Sequence, residues 1–445
     1  MADLRGFLSQ LEAEGELERV KAEVSPRFEM AAIIRRLEGE KALIFERVKN
    51  SSFPVVAGVC ATRERLFKAL KVEGNLEFYR KLMEAMDKPL KCKVADSGPI
   101  FEVSEEPNLS RLPVLTHYAG DGGPYLTASL VAARNLTGEF ENVSVHRLMV
   151  LGENRLAIRI VPRHLYRLYM EARNAGKPLD VAIVLGVHPA VMLAASSPAP
   201  FKTSEYEVAN RLMGGELKLV KCPHVEAYAP ADAEIVLEGR ILPDVEAEEG
   251  PFADVTGTYD VVRKQPVVEV VGILRRSQPY YQALLPAGLE HRLLMGVGQE
   301  AKIWDAVRRV TPEVGGVHLT AGGCGWLHAV ISIRKHVEGD GKNAIMAAFS
   351  AHPSLKHVVV VDLDIDIYDL EQVEWALATR FQGDRDLMVI PHVRGSSLDP
   401  SGDPQTGLTT KVGFDATKPL TQPEEKFRRA EIPGERETVK RVLEG

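Results

Sequence analysis

Residues 249–254 read Glu-Gly-Pro-Phe-Ala-Asp and set two carboxylates five positions apart, on either side of a Gly-Pro pair. Glycine is conformationally permissive and proline lacks the backbone N–H, so a helix cannot continue through this stretch. We therefore expect a turn that brings Glu249 and Asp254 to one side, with Phe252 packed beneath them. Two carboxylates in a sheltered loop separate each other's pKa values, so that one can hold a proton near neutrality. An acidic surface loop is the alternative, because two further glutamates precede the turn.

A second informative segment covers residues 141–161, where two alternating apolar runs flank a Gly-Glu-Asn turn. This pattern predicts a β-hairpin. Because side chains alternate along a strand, its residues divide between two faces: Asn142, Ser144 and His146 on one, and Val143, Val145 and Arg147 on the other. An arginine in line with two valines predicts a buried carboxylate partner, since arginine is rarely buried unpaired. For the polar face, an ordinary solvated strand is the alternative.

Together these two segments resemble the UbiD family of prenylated-flavin-dependent decarboxylases. In that family an Asn-x-x-x-x-Arg strand supplies a metal ligand and a catalytic arginine. A later Glu-Gly-Pro-(Phe/Tyr)-x-(Asp/Glu) loop supplies two catalytic acids. The similarity covers most of residues 100–417, and further stretches resemble the family in the right order: residues 162–165, 204–206, 233–239 and 408–417.

The resemblance implies a role for each matching residue. The implied catalytic residues are Arg147, Glu249 and Asp254, with Asp254 as the proton donor. The implied metal ligands are Asn142, Glu205 and His164, holding Mn²⁺ or Mg²⁺, with K⁺ as a second cation. For His164, a hydrogen-bonded turn histidine is the alternative. The implied cofactor-binding residues are Ser144, Val145, His146, Arg147, Arg159, Ile160, Val161, Arg163, His164 and Lys411, with Lys411 at the flavin phosphate.

The resemblance also implies a cofactor and partners. Prenylated FMN would come from a separate flavin prenyltransferase, the substrate would be a small carboxylic acid, and the protein would be a homodimer or larger homo-oligomer. Residues 391–400 look closer to the archaeal branch, whose substrate is trans-anhydromevalonate 5-phosphate and whose product is isopentenyl phosphate. Arg163, Arg394 and His188 are candidates for the substrate phosphate.

Other functions stay open at this point. The first is decarboxylation of an aromatic acid, either 4-hydroxybenzoate or its polyprenyl derivative. The second is a flavin-binding accessory protein without activity, although an idle site would not need to keep Arg147, Glu249 and Asp254. The third is an unrelated metal-dependent hydrolase that uses Asn142, His164 and Glu205.

Composition narrows the class of protein. The formal net charge of -7 over 445 residues argues against nucleic acid as the main partner. No apolar run reaches the length of a membrane span, and the N-terminus lacks a signal-peptide core, so we expect a cytoplasmic protein. The four cysteines stand without CxxC spacing, which disfavours a zinc cluster.

A chain of this length predicts two or three domains. The helix and strand patterns along it predict an α+β protein. Residues 1–98 predict an N-terminal α/β domain in which helix and strand patterns alternate before a helical pair. Residues 99–300 are rich in strand patterns, with one helix at 165–175, and predict a closed sheet. The family resemblance implies a split β-barrel of the flavin-reductase kind there. Residues 301–445 predict a C-terminal α/β layer with parallel strands, which the resemblance assigns to oligomer contacts.

Overall fold

The N-terminal part packs helices against a small sheet. The structure, a computed structural model, describes residues 3–430 and 432–443. The side chains of Asp3 and Thr62 accept the N–H groups of Gly6 and Arg65, and so cap two of these helices. The alternation of helix and strand is confirmed. The elements are α1 (Leu4–Ala13), β1 (Leu17–Val24), α2 (Glu29–Leu37), β2 (Ala42–Val48), β3 (Val55–Ala57), α3 (Arg63–Leu70), α4 (Asn75–Asp87) and β4 (Lys93–Val94).

The central part is a closed antiparallel barrel of six strands, in the order β12-β9-β6-β7-β8-β15, closed by the pairing of β12 with β15. This confirms the predicted barrel. The elements of this part are β5 (Val103–Glu105), β6 (Tyr125–Arg134), β7 (Glu141–Val150), β8 (Arg155–Ile158), α5 (His164–Asn174), β9 (Leu179–Leu185), α6 (Pro189–Ser196), α7 (Glu205–Leu212), β10 (Lys218–Lys221), β11 (Tyr228–Pro230), β12 (Ile235–Glu249), β13 (Phe252–Ala253), β14 (Tyr259–Asp260), β15 (Arg263–Arg275) and β16 (Tyr281–Gln282).

Alternate residues of the barrel strands enter two different cores. Val181 and Ile183 of β9 join one apolar cluster that contains residues of all six barrel strands. Ala182 and Val184 join a second cluster, which includes α4, α6 and α7. The barrel is therefore filled with side chains and covered by helices.

The prediction of a single helix in this region is wrong, because α6 and α7 also form. Helix α6 is buried at nearly every position, so its sequence shows no polar face and no helical periodicity. Helix α7 has only eight residues, which is too short for a clear pattern.

Strand β12 also extends further than its apolar pattern predicts. The pattern ends near Ile241, whereas the strand continues to Glu249 and stays paired with β15, Glu249 lying opposite Arg263. Most side chains of this extension are exposed or half-buried, so hydrophobic alternation is absent there. The extension places the acidic Gly-Pro turn at the tip of a two-stranded ribbon.

The C-terminal part is an α/β layer with a mixed sheet in the order β17-β18-β19-β21-β20. Only β18–β19 and β19–β21 are parallel, so the prediction of parallel strands is wrong for the two outer pairs. The elements are α8 (Leu289–Val307), β17 (Val314–Leu319), β18 (His328–Ile333), α9 (Asp340–Ala351), β19 (His357–Asp362), α10 (Leu370–Arg380), α11 (Gly383–Asp386), β20 (Leu387–Arg394), β21 (Leu408–Ala416) and α12 (Glu435–Leu443).

Small sheets tie the first two parts together. The N-terminal sheet has the order β1-β2-β3-β16, so its last strand comes from residues that follow the barrel. A second sheet, β11-β10-β4, likewise combines strands from both parts. Among the described residues, no helix has both the length and the apolar character needed to cross a membrane.

Candidate active site

Arg147 on β7 is the centre of a buried ion cluster. Its Nε and one terminal nitrogen donate to Glu249 at 2.9 and 3.0 Å, so the two side chains form a two-bonded pair. Its other terminal nitrogen donates to Asp254 at 2.7 Å. The side chains of Arg147 and Glu249 are 8% and 0% exposed, whereas that of Asp254 is 16% exposed. The predicted buried carboxylate partner of Arg147 is therefore confirmed, and of the two predicted acids Asp254 is the one that solvent reaches.

A third carboxylate, Asp260, completes the cluster. It accepts a hydrogen bond from Arg147 at 3.0 Å, and Arg263 and Arg159 lie beside it. Burial acts against the charge of Arg147, but Glu249, Asp254 and Asp260 raise the pKa of Arg147 above its ordinary value. The guanidinium is thus kept charged although it is buried.

Phe252 forms the floor of this cluster. Its ring is 3% exposed and lies 4.5 Å from the Arg147 guanidinium carbon, in a cation–π contact. The ring also packs against Tyr125, with 4.6 Å between ring centroids. The expectation that Phe252 packs beneath the acids is confirmed, and the alternative of an acidic surface loop is wrong for this stretch.

Residues 117–122 strap the acidic turn to the rest of the barrel. The carboxylate of Asp121 accepts N–H groups from His117 and Tyr118 within the strap, and from Ala253 in the turn. The N–H of Gly122 donates to the carbonyl of Pro251 at 2.8 Å. The position of the acids therefore depends on backbone contacts as well as on Arg147.

His291, in the first turn of α8, also faces this cluster. Its Nδ1 accepts the N–H of Ala287 at 3.1 Å, which leaves Nε2 to carry the proton of the neutral ring. Burial lowers the pKa of His291, with Asp254 and Arg147 close enough to act on it. The structure thus adds a neutral N–H donor next to the acids.

On the polar face of β7 Asn142 is buried, and Ser144 and His146 are half-buried. The alternative of a solvated strand is therefore wrong for Asn142. The Ser144 hydroxyl lies 3.1 Å from Asn142 Oδ1 and 2.9 Å from His146 Nε2. The other ring nitrogen of His146 lies 2.9 Å from the carbonyl of Arg159. Burial lowers the pKa of His146 to about 4, so its ring is neutral near pH 7.

Glu205 joins Asn142 at the end of this face. Its two oxygens accept the Asn142 amide at 3.1 Å and the Val143 N–H at 2.6 Å. Nearby Glu141 has one buried oxygen, Oε1, without a hydrogen-bond partner. Burial raises the pKa of Glu205 to about 8 and that of Glu141 to about 7.

This donor set fits a hard divalent cation. Carboxylate and amide oxygens are the ligands that Mn²⁺ and Mg²⁺ prefer, and a cation would hold both buried carboxylates in the charged form. His164 is not joined to Asn142 or Glu205 by a hydrogen bond among the described residues, and its ring packs edge-on against Phe201, 5.3 Å between centroids. Within that part of the chain, no group of three or more His, Cys, Asp and Glu side chains is arranged to hold a metal ion.

A second cluster consists of cations without carboxylate partners. Burial lowers the pKa of His352 to about 3, and three nearby cations contribute to that shift: Lys411, Lys302 and Arg163. None of the three forms an ion pair within the described residues, and burial lowers the pKa of Lys411 to about 8. Lys411 Nζ donates to the carbonyls of Pro353 and Leu355 at 2.6 and 2.5 Å, which leaves one N–H free. Lys411 is buried, whereas Lys302 and Arg163 are exposed to solvent. Three cations without carboxylate partners, one of them buried, fit a phosphate group.

Three of the remaining predicted residues lie on or next to the strands that carry the site, whereas His188 lies away from it. Val145, Ile160 and Val161 lie on β7 and just after β8, two neighbouring strands, and the Ile160 N–H donates to Gln265 at 3.0 Å. His188 caps α6 and packs against Phe7 of α1, so it is engaged away from both clusters.

Sequence reasoning missed Asp260, His291, Lys302 and Glu141. Asp260 follows the acidic motif closely, yet no spacing rule connects it to Arg147. His291 lies on α8, within residues 99–300 where strands were predicted, and Lys302 lies further along the same helix. The one available signal was the pair Glu141-Asn142, since an acid next to a predicted ligand is itself a candidate ligand.

The chain matches three domains of one protein family. Residues 92–289 match the 3-octaprenyl-4-hydroxybenzoate carboxy-lyase Rift-related domain, named UbiD. Residues 292–416 match the C-terminal domain of the same carboxy-lyase, and residues 8–86 match its N-terminal domain.

Individual proteins are similar over nearly the whole chain. Anhydromevalonate phosphate decarboxylase from Methanothermobacter thermautotrophicus is 48% identical over 96% of this chain and 99% of its own. Among solved structures, the UbiD-class enzyme HmfF from Pelotomaculum thermopropionicum in complex with FMN is 45% identical, with a TM-score of 0.95 over 98% of both chains. An evolved dimeric form of HmfF in complex with prFMN is 42% identical, with a TM-score of 0.91 over 98% of both chains.

Proposed function

Because the chain belongs to the UbiD family of carboxy-lyases, we propose that it is a prenylated-FMN-dependent decarboxylase that converts trans-anhydromevalonate 5-phosphate to isopentenyl phosphate. The observation that carries the choice of substrate is the 48% identity, over nearly the full chain, with an archaeal anhydromevalonate phosphate decarboxylase. The proposed reaction releases carbon dioxide from an unsaturated acid. A site built around one buried arginine and several carboxylates suits that reaction.

Arg147 is the residue that would hold the substrate carboxylate. Glu249 occupies its Nε edge with two hydrogen bonds, which fixes the plane of the guanidinium. The terminal nitrogen bonded to Asp254 is the one that an incoming carboxylate can take, because Asp254 is the partner that solvent reaches. A planar guanidinium fork orients a carboxylate better than a lysine ammonium does.

Asp254, which solvent reaches, would take up a proton from solvent when the substrate carboxylate displaces it from Arg147, and would then supply that proton to the substrate. Once displaced from Arg147, its carboxyl group is free to turn toward the carbon that loses carbon dioxide. The floor of Phe252 and the buried side chain of Glu249 keep water away from this end of the site. His291, as a neutral N–H donor beside the acids, adds a polar contact for the substrate.

The residues present also fit the cofactor and a metal ion. Asn142 and Glu205 would bind Mn²⁺ or Mg²⁺, with Glu141 as an added oxygen donor and His164 as the weaker assignment. Lys411, Lys302 and Arg163 would bind phosphate, and Arg394 acts electrostatically on Arg163. The other cofactor contacts we propose lie on β7 and just after β8: Ser144, Val145, His146, Arg159, Ile160 and Val161. Prenylated FMN, when bound, supplies the carbon–carbon bond chemistry that no side chain offers.

Family membership also supports proposals about the assembly of the enzyme and the supply of its cofactor. We propose a homodimer or larger assembly, a separate flavin prenyltransferase as the source of the cofactor, K⁺ as a second cation, and a cytoplasmic location. The boundaries we propose for the three domains are residues 1–98, 99–300 and 301–445.

The test is release of carbon dioxide by protein produced together with a flavin prenyltransferase. The protein is offered trans-anhydromevalonate 5-phosphate and 4-hydroxybenzoate separately. We expect turnover of the phosphorylated acid, a loss of about 10²-fold or more in Asp254→Asn, and no detectable turnover in Arg147→Ala. Arg173→Ala is the control, since Arg173 also pairs with an aspartate, Asp244, but at the exposed surface.

Each alternative predicts a different result. Turnover of 4-hydroxybenzoate alone would transfer the function to aromatic acids. Activity that needs metal but no flavin would indicate a hydrolase. A flavin-loaded protein that turns over neither acid, and whose variants behave alike, would indicate an accessory protein.

A further inference from the structure

Both arms of the acidic turn are tied to the same guanidinium. Asp254 lies after β13, and Asp260 lies on β14, which pairs with β13 through Phe252 and Asp260. We call residues 252–260 the acid hairpin. Asp254 binds one terminal nitrogen of Arg147, at 2.7 Å, and Asp260 binds the other, at 3.0 Å.

The two aspartates differ in the number of arginines that contact them. Asp260 contacts three arginines, because Arg263 donates to its second oxygen and Arg159 lies 3.7 Å from its first. Asp254 contacts Arg147 alone among the described arginines, and its other oxygen accepts only the N–H of the following residue.

The arginines around Asp260 also keep its carboxylate charged. Burial acts in the opposite direction, but the hydrogen bond from Arg263 and the charge of Arg147 hold the pKa of Asp260 below its ordinary value. Its side chain is 12% exposed, so salt and water screen these contacts only partly. The acid hairpin therefore has one arm that is fixed and one arm that a competing anion can release.

We propose that Asp260, supported by Arg263, is a positioning residue that anchors the acid hairpin, so that Asp254 can leave Arg147 for the substrate while the hairpin stays in the site. This inference rests on the proposed function, in which Asp254 is the proton donor. Without the anchor, release of Asp254 would leave neither arm bound to Arg147, and only the strap contacts near Pro251 and Ala253 and the packing of Phe252 would hold the hairpin.

The anchor is expected to affect the chemical step more than substrate binding. Glu249 holds Arg147 by two hydrogen bonds whether or not Asp260 is present, so the carboxylate-binding nitrogen stays in place. The position of Asp254 after its release, by contrast, depends on the hairpin. A residue that acts only in the transition state lowers kcat and leaves KM nearly unchanged.

The experiment compares cofactor-loaded wild-type protein with Asp260→Asn and Arg263→Gln, using trans-anhydromevalonate 5-phosphate. We expect kcat to fall about tenfold or more in Asp260→Asn, with KM within about threefold, and a smaller fall in Arg263→Gln. Asp305→Asn is the matched control. Asp305 is also 12% exposed and also binds two arginines, Arg308 and Arg309, but at the C-terminal end of α8.

Amide hydrogen exchange of residues 252–262 provides a readout that does not depend on turnover. In the flavin-free protein we expect faster exchange there in Asp260→Asn and Arg263→Gln, and unchanged exchange in Asp305→Asn. A raised KM with unchanged kcat, or unchanged exchange in both variants, would overturn the anchor. If the wild type releases no carbon dioxide from this acid, the proposed function fails, and the exchange rates alone decide whether Asp260 anchors the hairpin.

Discussion

At the scale of single residues, the ion cluster contains as many carboxylates as arginines. The three arginines are Arg147, Arg159 and Arg263, and the three carboxylates are Glu249, Asp254 and Asp260. Breaking a buried ion pair by removing one partner costs about 3–5 kcal/mol, because the remaining charge is left uncompensated. A substrate carboxylate adds a fourth anion to this balanced set. Its binding therefore requires that one resident acid gives up its place or takes up a proton.

Glu205 gives a prediction about metal binding and pH. Since burial raises the pKa of Glu205 to about 8, the carboxyl group is protonated below that pH and must lose its proton to bind a cation. We expect the affinity of the flavin-free protein for Mn²⁺ to rise by about tenfold per pH unit from pH 6 toward pH 8. Competition with a chelator at several pH values measures this.

Two variants make the metal prediction specific. Glu205→Gln should abolish the rise with pH, together with most of the affinity. Glu207→Gln, two residues later on the same helix, should leave both unchanged. An affinity that is the same at pH 6 and pH 8 would contradict the assignment of Glu205.

The sequence identified part of this site for a clear physical reason. Arg147 stands out because strand alternation aligns it with two valines, and the motif around Gly250 and Pro251 limits the backbone to a turn. Asp260 could not be found in that way, because its contact with Arg147 joins positions 113 residues apart. The partner of a buried charge is a property of tertiary packing, and a local pattern does not contain it.

At the scale of elements, the acid hairpin and the strap at residues 117–122 form one unit. A Cβ atom on Gly122 would lie 2.2 Å from the carbonyl oxygen of Gly250, and so would collide with the turn. At the neighbouring Gly123 the nearest atom would be 3.7 Å away, which is ordinary contact. Glycine is therefore required at position 122, within the strap, but not at position 123, just after it.

This difference predicts the behaviour of two alanine variants. Gly122→Ala should displace the acid hairpin, lower kcat/KM by about tenfold or more, and cost about 1–3 kcal/mol of unfolding free energy. Gly123→Ala should change neither quantity appreciably. Turnover assays and urea unfolding of the two variants measure this, and equal activities would show that the strap does not position the acids.

Element prediction succeeded where the residues of an element alternate between an apolar and a polar face. Strand β7 shows that alternation and was predicted. Helix α6 was missed because it is buried all round, and the end of β12 was missed because its ribbon is exposed on both faces. Both misses have the same cause, which is the absence of contrast between two sides.

At the scale of the whole molecule, α12 predicts the assembly state. Its apolar side chains Val442 and Leu443 are 63% and 79% exposed in a single chain, which is typical of a surface that meets another protein. We expect the full chain to have at least twice the mass of one chain in solution, measured by light scattering. The double variant Val442→Glu/Leu443→Glu should lower that mass, and Lys440→Gln should leave it unchanged. A monomeric wild type would contradict the expected oligomer.

The order of α/β, barrel and α/β parts was predictable, because the rhythm of the sequence changes near residues 100 and 300. The pairing of strands across those parts was not predictable. A two-residue strand such as β16 carries no pattern of its own, and its place beside β3 is set by what packs around it.

That pairing of β3 with β16 has a consequence for synthesis of the protein. The N-terminal sheet lacks its fourth strand until residues 281–282 have emerged from the ribosome. By then the whole barrel sequence has also emerged, since the last barrel strand, β15, ends at Arg275. The nascent chain thus carries an open β-edge through most of translation, the kind of edge that recruits unwanted strands. The N-terminal sheet is thus completed only after the barrel sequence has been synthesised. A chain released from the ribosome before residues 281–282 would keep an unpaired edge at β3, which could pair with strands of other chains.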